Sequence, residues 1–204
     1  MVLEEPVRAL ADEHGWDTVI AVVDLPSQAY GRNEEMAGLH QAMAVTTDAY
    51  HAARTAGHPI VAIVVGTALS GGFLTHGLQA NQILALDDPG VEIHAMHKAA
   101  AARITLRTVD ELDELATTIT PMSYRVEDWA TLGFCDGLLT VENADAPTPG
   151  DVETVSAAID DAIARARTGP RDLSNRLDSA AAVTTRHAAR AVRDLLAAQW
   201  NPEQ

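Results

Sequence analysis

Ser70, Gly71 and Gly72 carry the first chemical signal in this chain, because they sit where Val64-Val-Gly-Thr-Ala-Leu-Ser-Gly-Gly-Phe-Leu-Thr-His76 changes character. The apolar first half reads as a buried strand and the second half as the start of a helix. A strand that turns through glycines directly into a helix leaves the first helical N–H groups unpartnered and lets another group approach the backbone. Such a junction suits an oxygen that gains negative charge, since the free donors and the helix dipole act on it together. As an oxyanion hole it would use the Gly71 and Gly72 N–H groups with Ser70 as an auxiliary donor, each donor being worth about 2.7–4 kcal/mol in a transition state. The same run also fits a tight turn whose glycines serve packing alone.

A second loop belongs with the first. Thr18-Val-Ile-Ala-Val-Val-Asp24 has the β-branched run of a strand covered on both faces. It breaks at Leu25-Pro-Ser-Gln-Ala-Tyr-Gly31, and a helix is expected from about Asn33, whose following acids suit the positive end of its dipole. Successive right-handed crossovers put such strand-to-helix junctions on one edge of a parallel sheet. Gln28, Tyr30 and Gly31 are therefore expected to face Ser70, Gly71 and Gly72 across one pocket, as its substrate-binding wall.

The two loops together resemble the carboxyltransferase branch of the crotonase superfamily. The alpha half of the acetyl-CoA carboxylase carboxyltransferase has a similar proline-containing loop and a similar Ser-Gly-Gly turn. The gamma subunits of biotin-independent malonate decarboxylases are closer: their pattern is similar to Pro26-Ser-Gln-Ala-Tyr-Gly31, Gly77-Leu-Gln-Ala-Asn81, Ala85-Leu-Asp-Asp-Pro-Gly90 and the segment His94 to Thr105. The resemblance runs from about Val19 to about Arg165, in one order. It implies an α/β crotonase-like (Clp/crotonase) spiral fold with repeated ββα units over residues 1–168. Only a short segment precedes the Val19 strand, so some N-terminal strands are expected to be lacking. A helical tail, 169–204, matches nothing in the family pattern.

The same resemblance implies a function. A malonyl thioester that loses CO2 leaves an enolate, whose charge moves onto the thioester oxygen, and fixed donors lower that barrier without any protein nucleophile. This chain would bind no cofactor itself. The acyl group would arrive on the pantetheine-type arm of an acyl carrier subunit, or on coenzyme A, and a homologous beta-type subunit would supply a second oxyanion hole across an interface.

Composition agrees with such a partner protein. The chain has 204 residues and a formal net charge of −15, which speaks against a nucleic-acid surface and against anionic membranes. Coenzyme A and acyl carriers are acidic too, so a local positive patch or a second subunit is needed. Lys98 is the lone lysine, and the other positive charges are arginines concentrated in the second half. The single cysteine, Cys135, permits no internal disulfide and fits a reducing, cytoplasmic setting. The amino terminus is acidic rather than signal-like, and the apolar run Ile60 to Leu69 is too short for a membrane span.

The remaining sequence reads as alternating helices and strands. A long helix from Glu34 to Ala56 carries Met36, Leu39, Met43, Thr46 and Tyr50 as an apolar stripe suited to core or subunit interface. Ile60–Val65, Gln82–Leu86 and Val91–His94 read as strands, and Thr108 caps a helix through Ile119. Leu132 to Glu142 reads as a strand pair or a strand with a turn, its glycines at the bends. Thr148-Pro-Gly-Asp151 opens a helix whose stripe is Val152, Val155, Ile159 and Ile163, and Ser179 to Trp200 forms another with an arginine-bearing face.

Two other uses of these residues are weighed against the first. Ser70, His94 and Asp136 follow the order of the nucleophile, base and acid in Clp-type serine peptidases, which share this fold; that chemistry needs a His within reach of Ser70 and a carboxylate orienting it. A non-catalytic scaffolding paralogue is the other. His94 and His97 lack a third ligand at metal spacing, so no metal is expected. His76 reads as packed, and His14, His40, His51, His58 and His187 have no constellation around them.

Overall fold

The computed structural model describes residues 17–200, and His14 lies outside them. Among the described residues five strands form one sheet: β1 (Val19–Leu25), β2 (Ile60–Leu69), β3 (Gln82–Leu86), β4 (Glu92–His94) and β5 (Gly137–Leu139). The order is β1-β2-β3-β5, with β4 paired to the far end of β2, and every ladder is parallel. The long β2 is central because its apolar run lets Val61 to Val64 pair with β3 while Thr67 to Leu69 pair with β4.

Helices cover both faces. α1 (Arg32–Met36) and α2 (Leu39–Ala56) follow β1, and the short α3 (Ser70–Thr75) follows β2. α4 (Lys98–Ile104), α5 (Val109–Ala116) and α6 (Val126–Thr131) lie between β4 and β5, and α7 (Pro149–Thr168) follows β5. The main core joins Val23, Ile60, Val64, Phe73, Ile83 and Trp129, with Tyr50 and Ala53 of α2 packed on it. On the opposite face Ala162 of α7 closes over Val61, Ile63 and Leu84. The capping boxes at Thr108–Glu111 and Thr148–Asp151 form as their sequences imply.

Several expectations are corrected. β1 is not covered on both faces: Ala21 and Val23 are buried, but Val22 is 61% exposed, because β1 is an edge strand and α7 lies over β2, β3 and β5. The Glu34–Ala56 helix is broken at Gly38, whose φ of +84° separates α1 from α2 and leaves Met36 exposed outside the stripe. The helix capped by Thr108 ends at Ala116 rather than Ile119. Of the two readings of Leu132 to Glu142 the strand with a turn holds, since Gly133 turns the chain at φ +81° and only Gly137–Leu139 reaches β3. Val152 is exposed, and the residues α7 buries most fully are Ala162 and Ala166, which let the helix sit close to the sheet.

Ser179 to Trp200 is likewise two helices, α9 (Ala180–Thr185) and α10 (His187–Trp200), preceded by the short α8 (Asn175–Asp178). The arginines ahead of and along it turn partly inward: Arg186 lies over the Phe134 ring at 5.0 Å, and Arg190 donates to the Leu177 carbonyl at 2.8 Å. No helix among the described residues is long and apolar enough to cross a membrane.

Candidate active site

Parallel pairing of β1 with β2 brings the loops that leave their ends to the same edge. The strands part at Asp24, where the register shifts. Its carboxylate takes over there, accepting from the Thr67 N–H and hydroxyl at 3.0 Å each, which anchors the start of the loop Leu25–Gly31 to β2.

Beyond Leu69 the chain turns into α3 through Ser70, a non-glycine residue at φ +59° and only 2% exposed. That left-handed conformation costs an L-residue about 1–2 kcal/mol, and it swings the Ser70 side chain toward the opposite loop. Tyr30 meets it there: its hydroxyl donates to Ser70 Oγ at 3.0 Å. Ser27 above all, with Ser70 and Gln28, holds the Tyr30 phenol below the usual tyrosine range by hydrogen bonding. Ser27 Oγ also donates to the Gln28 carbonyl at 2.7 Å, which stiffens the loop.

The two glycines differ in what they make room for. A Cβ on Gly72 would lie 2.8 Å from Leu25 Cδ2, 3.0 Å from the Gln28 backbone nitrogen and 3.1 Å from the Ser27 carbonyl carbon. The space is thus filled by the chain's own loop. On Gly71 a Cβ would meet the mobile end of Met43 at 2.5 Å and Gln28 Oε1 at 3.1 Å. The Gly72 N–H donates to Gln28 Oε1 at 3.1 Å, so an amide carbonyl oxygen already occupies the acceptor position. Ser70, Gly71, Gly72, Gln28 and Tyr30 are therefore brought together, while Gly31 stands at the start of α1 beside the Glu34 carboxylate.

Ser70, His94 and Asp136 do not assemble as a triad. His94 Nδ1 accepts from the Met96 N–H at 3.2 Å, and its ring stacks on Tyr124 with centroids 4.1 Å apart. Burial pulls its pKa down, keeping the imidazole neutral. Asp136 accepts from the Ile83 N–H at 2.7 Å, and burial raises its pKa against the pull of Arg176 and Arg165. Each group is engaged with neighbours other than Ser70. His76 is paired with Tyr50, whose hydroxyl lies 2.7 Å from His76 Nδ1 and is pushed up to about 12 by burial. Burial also pushes the Cys135 thiol up to about 12, far from a reactive thiolate. Among the described residues no three His, Cys, Asp or Glu side chains gather as metal ligands. A separate cavity of about 680 Å³ is lined by six carboxylates, among them Asp87, Asp88, Glu92 and Asp128, against two cations, Lys98 and Arg125, an acidic excess that disfavours an anionic substrate.

One supporting group had no signal in the sequence. Arg176, 6% exposed, donates to the Leu78 and Ala80 carbonyls, and Arg54 donates to the Gln79 carbonyl at 2.7 Å. Asn175 Nδ2 adds a bond to the Asn81 carbonyl at 3.2 Å. Successive carbonyls of the turn after α3 are thus held from α2 and from the segment after α7. Burial lowers the Arg176 pKa to about 10 although Asp136 opposes it.

Residues 2–200 match the family described as malonate decarboxylase gamma subunit, so the segment after residue 168, expected to match nothing in the family pattern, lies within the match up to residue 200. A curated relative, the malonyl-S-ACP:biotin-protein carboxyltransferase MADD of Malonomonas rubra, is 41% identical over 121 residues, 58% of this chain; the chain spans only 41% of that relative's length. Among solved structures, a Pseudomonas malonate decarboxylase hetero-tetramer in complex with coenzyme A is 45% identical, with TM-score 0.84 over 95% of this chain and 75% of that one. A Pseudomonas malonate decarboxylase MdcD–MdcE hetero-dimer gives 42% identity and TM-score 0.81, covering 97% and 74%. Transcarboxylase 12S, at 21% identity and TM-score 0.57 over 75% and 28%, shows the shared fold alone. The α/β architecture with its parallel sheet is accordingly the crotonase-like fold of the carboxyltransferases, with helices following it at the carboxyl end.

Proposed function

We propose, for a chain that belongs to the malonate decarboxylase gamma subunit family, that it forms half of a composite site that removes CO2 from a malonyl thioester. The observation that carries this is the meeting of the Ser70–Gly72 junction with Gln28 and Tyr30, on a backbone 42–45% identical to solved malonate decarboxylase subunits.

In this reading the Gly71 and Gly72 N–H groups receive an oxygen that gains charge as CO2 leaves, with Ser70 beside them and Gln28, Tyr30 and Gly31 as the wall. Gln28 Oε1 shows that a planar carbonyl oxygen can reach the Gly72 donor at 3.1 Å. The substrate's thioester oxygen takes the same donor once the Gln28 side chain turns aside. Donors already fixed by the loop and the α3 backbone need no reorganisation as the charge develops, which is where such a site gains its rate.

A homologous beta-type subunit supplies the second oxyanion hole. The malonyl group arrives on the pantetheine-type arm of an acyl carrier subunit or on coenzyme A, and the whole operates in the cytoplasm. Support for these partners comes from the relatives: a hetero-dimer and a coenzyme A complex of Pseudomonas malonate decarboxylase, and a carboxyltransferase named for malonyl-S-ACP. Residues 1–168 are read as the carboxyltransferase-type unit and 169–204 as a helical tail; Arg176 gives that tail a bracing role behind α3. Mass spectrometry of the complex purified from its native cell tests the assignment: a beta-type subunit and a carrier with a prosthetic arm should co-purify, and their absence overturns it.

A further inference from the structure

Decarboxylation creates a demand that backbone donors cannot meet. The carbon–carbon bond to the carboxylate breaks, CO2 departs, and the electron pair is held on the enolate. A carbon–hydrogen bond must then form at Cα to give the acetyl thioester. Gly71 and Gly72 can stabilise the enolate oxygen but do not surrender a proton at neutral pH.

Within the cluster of Ser27, Gln28, Tyr30, Ser70, Gly71 and Gly72, Tyr30 alone carries an ionisable side chain. It is 64% exposed, yet its hydroxyl is fixed 3.0 Å from the buried Ser70 Oγ, next to the Gly71 and Gly72 amides. Three neighbouring ionisable groups are committed elsewhere. Asp24 accepts from Thr67, Tyr50 is bonded to His76, and His94 is bonded to Met96 and stacked on Tyr124.

We propose that Tyr30 is the proton donor to the enolate, with Ser70 as the residue that positions its hydroxyl; this rests on the decarboxylase reading above. The Tyr30 proton passes from Oη to Cα and leaves a phenolate. The Ser70 hydroxyl, which accepts from Tyr30 before transfer, turns to donate to the phenolate, as a hydroxyl rotor can. Water then reprotonates the exposed ring. One proton is consumed per CO2 released, and no oxidant or reductant enters. Ser27 and Gln28 favour the same phenolate, since both lower the Tyr30 pKa by hydrogen bonding.

The test removes one hydrogen bond from either side, in the complex purified with its partner subunits and with the malonyl-loaded carrier as substrate. Tyr30→Phe keeps the exposed ring and deletes only the donor. Conversion to acetyl thioester should fall by about 10²–10⁴ in kcat, the usual worth of a general acid, with KM within about twofold. Ser70→Ala breaks the same bond but leaves the phenol, so its loss should be about tenfold or less, as for one hydrogen bond. A purely structural bond would make the two losses equal, and that result overturns the proposal. A Tyr30→Phe effect confined to KM also overturns it, because Tyr30 would then only bind substrate. Wild-type complex that releases no CO2 defeats the decarboxylase reading itself, whereas active wild type with unimpaired Tyr30→Phe defeats only the proton-donor assignment.

Discussion

Replacing Gly72 by alanine separates a donor site from a simple turn. The added Cβ would sit 3.0 Å from the Gln28 nitrogen and 3.1 Å from the Ser27 carbonyl carbon, both backbone atoms, and 2.8 Å from Leu25 Cδ2. Leu25 can turn away, but the Ser27–Gln28 backbone must move by a few tenths of an ångström. Overpacking of this kind costs about 1–3 kcal/mol. The larger effect falls on activity, because the moved loop carries Gln28 and Tyr30 and the Gly72 N–H loses its aim. Loss of one oxyanion donor corresponds to about 10²–10³ in kcat. Gly71→Ala is the control: its Cβ meets the end of Met43 at 2.5 Å, a flexible thioether that can withdraw. Pairing Gly71→Ala with Met43→Ala should restore most of the stability it loses, whereas no trimming of a side chain rescues Gly72→Ala. Thermal unfolding and CO2 release from the assembled complex measure both effects. If Gly72→Ala matches wild type in Tm and in kcat, the loop does not depend on that close approach and the reasoning fails.

Other outcomes follow from the same structure. Ser70 makes no side-chain cap bond to α3, so Ser70→Ala should lose only its part-buried bond to Tyr30, about 0.5–1.5 kcal/mol in chemical denaturation. Because His94 and Asp136 are bonded elsewhere, a serine-directed phosphonate should leave wild-type Ser70 unlabelled, and covalent labelling would restore the hydrolase reading. Arg176→Met should cost about 3–5 kcal/mol and lower Tm, since it strips Leu78 and Ala80 carbonyls of their donor and leaves buried Asp136 short of a cation. His94 titrates below its ordinary 6.5 in the folded chain. The unfolded chain therefore binds the extra proton first, and stability, full above pH 6.5, should decline as pH falls toward the folded value; His94→Phe should flatten that limb of a Tm-against-pH series.

The parts of the fold that were legible in the sequence are those decided locally. β2 announces itself by the apolar run Ile60–Val65, although the strand continues through Gly66 and Thr67 to Leu69, and the helices after Thr108 and Thr148 do so by capping boxes that close within three residues. The meeting of the two loops was also legible, because parallel neighbours send their ends to one edge. What escaped depends on packing between distant segments. Exposure of Val22 is set by where α7 lies, which β1 does not encode. The break at Gly38 hides inside a stripe whose spacing continues through it. Ser70 at positive φ gives no warning, since serine is not the residue expected there. Gln28 on the Gly72 amide joins residues 44 apart, and Arg176 reaches back 98 positions to Leu78. Neither bond leaves a local pattern to read.

The central claim, that this chain supplies half of a composite decarboxylase site, is tested most directly by reconstitution. CO2 release from a malonyl-loaded carrier would be measured for this chain alone, for the beta-type subunit alone, and for the two combined. The expected result is release only from the combined subunits, lost again when Gly72→Ala replaces the wild-type chain. Full release from this chain as an isolated monomer, or none from the reconstituted pair, would contradict it.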